Sequence, residues 1–246
     1  MKSKIRFGLL AFIILAVAAG CAPTKVQEKS TTIAQLPKPD HILVYDFAVS
    51  PEEVKLDKGL SAELVQKYQE HQGASRTAEE IKVGHKVADA VAAELVKKIN
   101  SYGLFAERAF GLPKGKGKVL IVKGQFLSID EGNRTERVAI GLGAGRTSVQ
   151  TNVQVYELTP QGMKEVDTLR GTAKSGGKPG MAEMMGVGAI AGHLLASTVV
   201  SSALAGGTEM TSATVEADGK RLANQIAKEL GNFFVEQAWI PPDAVK

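Results

Sequence analysis

The single cysteine of this chain, Cys21, directly follows an apolar leader, and this arrangement decides which residues are available to fold. Basic side chains give the leader a positive start, and residues 7–17 carry no charge. That uncharged run is too short for a stable transmembrane helix but has the length of a secretory signal core. Small residues occupy positions 18–20, as signal cleavage requires. The pattern predicts that residues 1–20 are a signal peptide absent from the mature protein.

The sequence Ala18-Ala19-Gly20-Cys21 resembles the lipobox of bacterial lipoproteins, in which the cysteine is acylated. The resemblance implies that Cys21 becomes a lipidated N-terminus held in a bilayer, where each buried CH₂ contributes roughly 0.8 kcal/mol. The next residue is Ala rather than Asp, which by similarity to enteric sorting favours the outer membrane, facing the periplasm. Residues 21–40 are mostly polar and contain several prolines, which predicts a flexible tether.

The charge of the mature chain argues against nucleic-acid binding. The sequence holds 30 Lys and Arg against 26 Asp and Glu, and three of the basic residues lie in the leader. Without the leader the protein is nearly neutral, and no basic stripe is present in the sequence. Because Cys21 is the only cysteine, an intrachain disulfide, a thiolate zinc site and a cysteine nucleophile are all excluded.

Two long amphipathic helices are predicted from the spacing of apolar residues. The first covers residues 77–101, where apolar side chains recur every fourth residue, and the second covers about residues 214–236. The apolar positions that define them are Val83, Val87, Val91, Leu95 and Ile99, then Leu222, Ile226, Leu230 and Phe233. A shorter helix is predicted over residues 61–71. Trp239 and the following prolines close the domain.

Short apolar or alternating runs predict the strands of one sheet. They cover residues 41–47, 104–110, 119–129, 134–140, 147–158 and 163–172. In the fifth run, Val149, Thr151, Val153 and Val155 alternate with polar residues, as in a half-buried antiparallel strand. The order of elements predicts one α+β domain over residues 41–240, with a mixed, largely antiparallel sheet covered by two long helices.

Several of these segments resemble an uncharacterised family of bacterial lipoproteins known as a domain of unknown function. The matching segments are Ile42–Phe47, Val87–Leu95, Gly124–Arg134 and Ile140–Gly145. The resemblance runs from about residue 40 to the C-terminus and implies no particular activity. The strand-helix-strand opening is also distantly similar to the periplasmic α/β domains of the curli-secretion-channel lipoprotein, in architecture only.

The glycines and arginines that stand out in the sequence are interpreted as structural. Gly141, Gly143 and Gly145 fit neither the dinucleotide-binding nor the Walker spacing, so we interpret them as bend glycines between two strands. Arg134 and Arg137, close to acidic residues, are interpreted as the charged end of a hairpin.

No catalytic or metal-binding set of residues is predicted. The four histidines have no metal-ligand spacing, and no nucleophile elbow is present. His85 and Asp89, one helical turn apart, are interpreted as an exposed ion pair rather than an oriented base. Asp46, at a strand end, is the carboxylate best placed for a site, although a structural role is favoured.

The segment over residues 184–208 is Gly/Ala-rich and contains no charged residue. It is long enough to cross a bilayer, and Gly188 to Gly192 form a G-x-x-x-G pattern, which is typical of closely packed helices. Three alternatives remain open for it: an insertion packed on the domain or loosely ordered, a self-association face, or a membrane-inserted segment.

The sequence therefore predicts a membrane-anchored envelope lipoprotein that is not an enzyme, binds no cofactor or metal, and acts as a binding or assembly module. Its partners would be the bilayer, through acylated Cys21, and either a second copy or another envelope protein. One alternative is a pore or secretion-complex subunit that uses residues 184–208 or the hairpin over residues 119–158. The other is an envelope enzyme whose site is assembled only by the fold.

Overall fold

A seven-stranded mixed sheet organises the part of the chain that the structure describes. The computed structural model describes residues 24–31, 35–71, 75–113, 117–140, 143–176 and 214–245. The strands are β1 (Thr24–Thr31), β2 (His41–Tyr45), β3 (Val54–Lys55), β4 (Ala106–Ala109), β5 (Val119–Asp130), β6 (Ser148–Thr159) and β7 (Gly162–Lys174). Across the sheet their order is β1-β7-β6-β5-β2-β4, and β3 continues alongside β5.

Two long helices cover one face of this sheet. The α-helices are α1 (Leu60–His71), α2 (Arg76–Ser101), α3 (Arg134–Ala139) and α4 (Val215–Glu236). The predicted apolar stripe of α2 is buried, and so is that of α4, in one core with the inner face of the sheet. Burial of these stripes is what fixes both helices on the sheet, since propensity alone contributes little. The predicted α+β class, with a mixed sheet and two long helices, is confirmed.

The strand directions give the sheet two distinct ends. Strands β2 and β3 run parallel to β5 and β4 runs parallel to β2, whereas the β5–β6, β6–β7 and β7–β1 pairs are antiparallel. One end, which we call the Asp130 end, is formed by Lys55, Asp130, Ser148, Lys174 and Thr24. The opposite end, which we call the His41 end, is formed by His41, Ala106, Val119 and the turn between β6 and β7.

The side chains of strand β6 alternate between the two faces of the sheet as its sequence predicts. Val149, Thr151, Val153 and Val155 are all fully buried beneath the helices, while the intervening polar residues lie on the other face. On that other face, Leu43, Val119 and Ile121 form a smaller apolar cluster. Because β5 and β6 each have a strand on both sides, the hairpin over residues 119–158 lies inside the sheet.

The tether predicted over residues 21–40 is wrong for residues 24–31. Thr24–Thr31 forms β1, an edge strand paired antiparallel with β7 from Thr24 and Ala173 to Thr31 and Asp167. Val26 packs against the core beside this ladder. Mostly polar side chains predict a tether, but they are also common in edge strands with one solvated face.

The strand predicted over residues 134–140 is also wrong, because Arg134–Ala139 forms the short helix α3. The Asn133 side chain accepts a hydrogen bond from the Glu136 N–H at 3.1 Å and so caps the first turn. The glycines that follow therefore lie between a helix and β6 rather than between two strands. Gly143 and Gly145 have positive φ and are turn glycines.

Three features predicted from the sequence lie outside the described residues: Cys21 with its leader, the bend glycine Gly141, and the uncharged segment over residues 184–208. Of the helices that the structure describes, none combines the length and apolar character needed to cross a bilayer.

Candidate functional site

The Asp130 end brings together two features that stand out in the sequence: the turn after β5 and Gly145 of the glycine run. After β5 the chain turns through Gly132, whose N–H donates to Asp130 Oδ1 at 2.8 Å. The next N–H, from Asn133, donates to the Gly145 carbonyl at 3.0 Å. Gly132 has φ of 68°, and a Cβ on it would lie 2.3 Å from the Gly145 oxygen. The turn and the glycine run are therefore in direct backbone contact, and only glycine fits at this position.

Arg137 holds these two segments together from α3. Its Nη1 donates to the Glu131 carbonyl at 2.8 Å and to the Gly145 carbonyl at 2.6 Å. Arg134, by contrast, projects an exposed side chain, and its backbone N–H donates to Asp57 Oδ1 at 2.9 Å. The two arginines thus differ, since Arg137 is a structural clamp and Arg134 leaves its charge available at the surface.

Two carboxylates, Asp57 and Glu131, meet beside this clamp. The Asp57 N–H donates to Glu131 Oε2 at 3.1 Å, and Asp57 Oδ1 also accepts the Gly59 N–H at 2.8 Å. Burial raises the pKa of Glu131 above its ordinary value of 4.5, and the nearby Asp57 charge raises it further. The hydrogen bond from the Asp57 N–H acts in the opposite direction but does not cancel the rise.

A fully buried carboxylate, Asp218, lies close by in the first turn of α4. Thr147 Oγ1 donates to its Oδ2 at 2.5 Å, and the Arg221 guanidinium pairs with its Oδ1. The Thr147 N–H donates in turn to Ser175 Oγ at 3.1 Å, which links the start of β6 to the end of β7. Burial raises the pKa of Asp218 above its ordinary value of 3.8, although Thr147 and Arg221 both act to lower it.

Asp46 is the carboxylate that the sequence places best for a functional site. In the structure it forms an ion pair with Arg108. Arg108 on β4 bridges Asp46 at 2.5 Å and Asp89 at 2.6 Å. The predicted pairing of His85 with Asp89 is therefore replaced by Arg108, which approaches Asp89 from the sheet. The two carboxylates raise the pKa of Arg108, so it keeps its charge. This bridge ties α2 to the parallel half of the sheet.

A groove of about 170 Å³ lies between α1 and the start of α2. Its walls are Leu56, Gln66, Glu70, Ser75, Arg76, Ala78, Glu79 and Lys82. Neither Asp46 nor a histidine is among its described walls, so these walls do not combine the carboxylate and the base of an enzyme hypothesis. Among the described residues, no group of three or more His, Cys, Asp and Glu side chains is placed to hold a metal ion.

Sequence reasoning found the turn at Asp130–Arg134 and the glycine run, but it did not predict that they touch. It also missed the Thr147–Asp218 pair. The signals were weak but present: Asn133 with Glu136 three residues later is a helix-capping pattern, and Asp218 is an acidic residue in the first turn of a predicted helix.

Fold and site together define an α+β domain. Its two long helices cover one face of the sheet, and hydrogen bonds within the chain hold the segments of its Asp130 end together. A family model described as "Domain of unknown function (DUF4410)" matches residues 42–192. The match covers more than half of the chain, and the chain belongs to this family. The predicted membership in a family of unknown function is confirmed, whereas the similarity to curli-channel domains stays a prediction.

Comparison with solved structures gives weak likenesses. A PelC dodecamer from Paraburkholderia phytofirmans is 12% identical, with a TM-score of 0.32, and the match covers 63% of this chain and 83% of that one. A single-residue variant of the same dodecamer is 11% identical, with a TM-score of 0.33, and the match covers 66% and 88% of the two chains. None of the curated proteins compared with the sequence matches it.

Proposed function

We propose that this protein is a lipoprotein of the bacterial cell envelope, anchored through acylated Cys21 and facing the periplasm from the outer membrane. The observation that carries the proposal is the position of the only cysteine, directly after a leader with a positive start and an apolar core. Three residues later the described chain begins as a strand of the sheet, so the anchor would join the folded domain almost directly.

Within the envelope we propose a binding or assembly role rather than catalysis. The polar side chains of the Asp130 end support this role, because they bond to each other and to the backbone of their own chain. Asp57, Glu131 and Arg137 each fix a turn or a loop, and Asp218 is enclosed by Thr147 and Arg221. Groups used in this way build a rigid surface, whereas a catalytic site needs groups that face a substrate.

Labelled palmitate tests the anchor. The full-length protein is expected to incorporate the label and to fractionate with outer membranes, whereas Cys21→Ser is expected to incorporate none. Failure of the native chain to take up label would refute the anchor. A pull-down with the lipidated protein, compared with Cys21→Ser, then tests for an envelope partner that depends on the anchor.

The pore or secretion-subunit alternative now depends on residues 184–208, since the hairpin over residues 119–158 lies inside the sheet. One observation favours a membrane or assembly role for that segment. The described residues closest to it, Gly176 and Thr214, follow β7 and cap α4 at the Asp130 end, where β1 also begins. Deleting residues 184–206 tests this alternative: if oligomer size and membrane extraction are unchanged in a folded protein, the segment has no such role.

A further inference from the structure

The start of β1 fixes where an anchored domain meets its membrane. Thr24 pairs with Ala173, one residue before the end of β7, so β1 begins at the Asp130 end of the sheet. Cys21 precedes Thr24 by three residues. An extended chain advances about 3.3–3.6 Å per residue, so three residues can carry the Cys21 backbone no farther than roughly 11 Å from Thr24.

Exposed apolar side chains lie at the same end. Leu60 and Leu64 project from α1, and Val138 and Ile140 project from or just beyond α3, all exposed to solvent. The two helices adjoin, since a Cβ on Gly59 would lie 2.7 Å from Thr135 Oγ1. These side chains therefore belong to neighbouring surfaces. Transfer of exposed apolar groups of this kind into the boundary between lipid headgroups and acyl chains lowers the free energy.

The exposed charges around these helices and on the adjoining strand ends are mainly basic. The exposed basic residues are Lys25, Lys55, Lys58, Lys67, Arg134 and Lys174, and the exposed acidic residues on the same segments are Glu63, Glu70 and Glu136. Several of the acidic groups nearby are directed inward, as Asp57 and Glu131 are. The surface therefore suits a layer of anionic and zwitterionic headgroups, because basic side chains near a bilayer are attracted to anionic lipid.

We propose that the Asp130 end of the sheet lies on the lipid surface, with the apolar side chains of α1 and α3 at headgroup level. The strands then stand away from the membrane, and the His41 end points into the compartment. This inference rests on the proposed lipid anchor, and it adds the face of the domain that contacts the bilayer.

Two matched pairs of single-cysteine variants test the proposal in the lipidated full-length protein. Because acylation would consume the Cys21 thiol, an introduced cysteine is the only reactive thiol in the chain. Ile140→Cys at the Asp130 end is matched with Phe105→Cys at the His41 end, because the native Ile140 and Phe105 side chains are 53% and 54% exposed. Val138→Cys is matched with Met163→Cys in the same way, at 45% and 46%.

Each variant is labelled with an environment-sensitive fluorophore and reconstituted in vesicles of phosphatidylethanolamine and phosphatidylglycerol containing headgroup spin-labelled lipid. We expect blue-shifted, strongly quenched emission from Ile140→Cys and Val138→Cys, and water-like, unquenched emission from Phe105→Cys and Met163→Cys. Circular dichroism of each labelled protein confirms that it is folded, and the second pair replaces the first if one variant misfolds.

The outcomes separate this inference from the anchor itself. Palmitate incorporation with equal quenching at both ends, or with stronger quenching at the His41 end, would overturn the docking face and leave the anchor intact. Blue-shifted emission at Ile140→Cys without quenching by lipid would show that protein covers this surface, which also overturns it. Absence of palmitate would refute the anchor and the docking face together.

Discussion

At the scale of single residues, the most consequential contact is the one between Thr147 and Asp218. The two residues are 71 positions apart in the sequence, and each is buried. A buried carboxylate is tolerated only when hydrogen bonds or opposite charge replace its hydration. Thr147 and Arg221 supply that replacement, and the remaining cost of burial appears as the raised pKa of Asp218.

Replacing Thr147 with Val removes the hydroxyl donor and leaves one carboxylate oxygen of Asp218 without its partner. We expect Thr147→Val to lower the free energy of unfolding by about 1–3 kcal/mol near neutral pH, the usual cost of an unsatisfied buried group. Thr151→Val is the matched control, because Thr151 is equally buried but donates to the neutral Gln125 carbonyl at 2.7 Å. Urea denaturation of both variants measures the difference, and equal losses would contradict the assigned role.

The pH dependence of stability follows from the direction of the Asp218 shift. A carboxyl group whose pKa is higher in the folded than in the unfolded state binds more protons when folded, so its contribution to stability falls as pH rises between the two values. Thr147→Val is expected to raise the folded pKa further, since Thr147 lowers it. The loss caused by Thr147→Val should therefore grow from acid to neutral pH, while that of Thr151→Val stays constant.

At the scale of elements, the two errors of the sequence analysis have one cause. Neither β1 nor α3 has a strong local period, and contacts with residues outside each segment stabilise both of them. β1 is a polar segment that becomes a strand because β7 offers it an edge. α3 contains β-branched residues, yet Asn133 and Arg137 impose a helical turn through specific hydrogen bonds. Where periodicity is strong, as in α2, α4 and β6, the elements follow the sequence closely.

The contact between the turn after β5 and the glycine run makes a prediction about Gly132. A Cβ there would overlap the Gly145 and Arg146 carbonyl oxygens, which are backbone atoms and cannot rotate away. We expect Gly132→Ala to lower the free energy of unfolding by more than about 3 kcal/mol, beyond ordinary overpacking. Gly103→Ala shares a positive φ but has open space around it, so it should lose only about 1–2 kcal/mol. Thermal unfolding measures the loss of stability in both variants. An equal loss in Gly132→Ala and Gly103→Ala would contradict the close approach of the backbone at Gly132.

At the scale of the whole molecule, the sequence predicts the fold class, the helix-covered sheet and most element positions. It does not predict the Asp130 end, because that site is assembled from five separate segments: the starts of β6 and α4, the ends of β5 and β7, and the loop around Asp57. Glu131, Thr147 and Asp218 each look ordinary in their own neighbourhood. Only the tertiary fold brings them to one end of the sheet.

The attachment of β1 to β7 would also govern how the proposed anchor is joined to the domain. Val26 packs against the core, whereas Gln27 is exposed on the other face. We expect Val26→Asp to lower the free energy of unfolding by about 1–3 kcal/mol and Gln27→Asp to change it by less than about 0.5 kcal/mol. In vesicle-bound protein, limited trypsin cleavage after Lys29, whose scissile bond adjoins neither substitution, should release the domain faster in Val26→Asp. Equal release rates would mean that β1 is not held by this packing.

The ladder between β1 and β7 has a mechanical consequence. If the bilayer holds the chain just before Thr24 while a partner pulls at the His41 end, the load runs along β1, from its first residue toward the rest of the sheet. The inter-strand hydrogen bonds lie perpendicular to that direction, so they are sheared together instead of being opened one after another. An edge strand loaded in shear withstands far more tension than one that is peeled, and this geometry would suit a domain that has to bear traction from its partner.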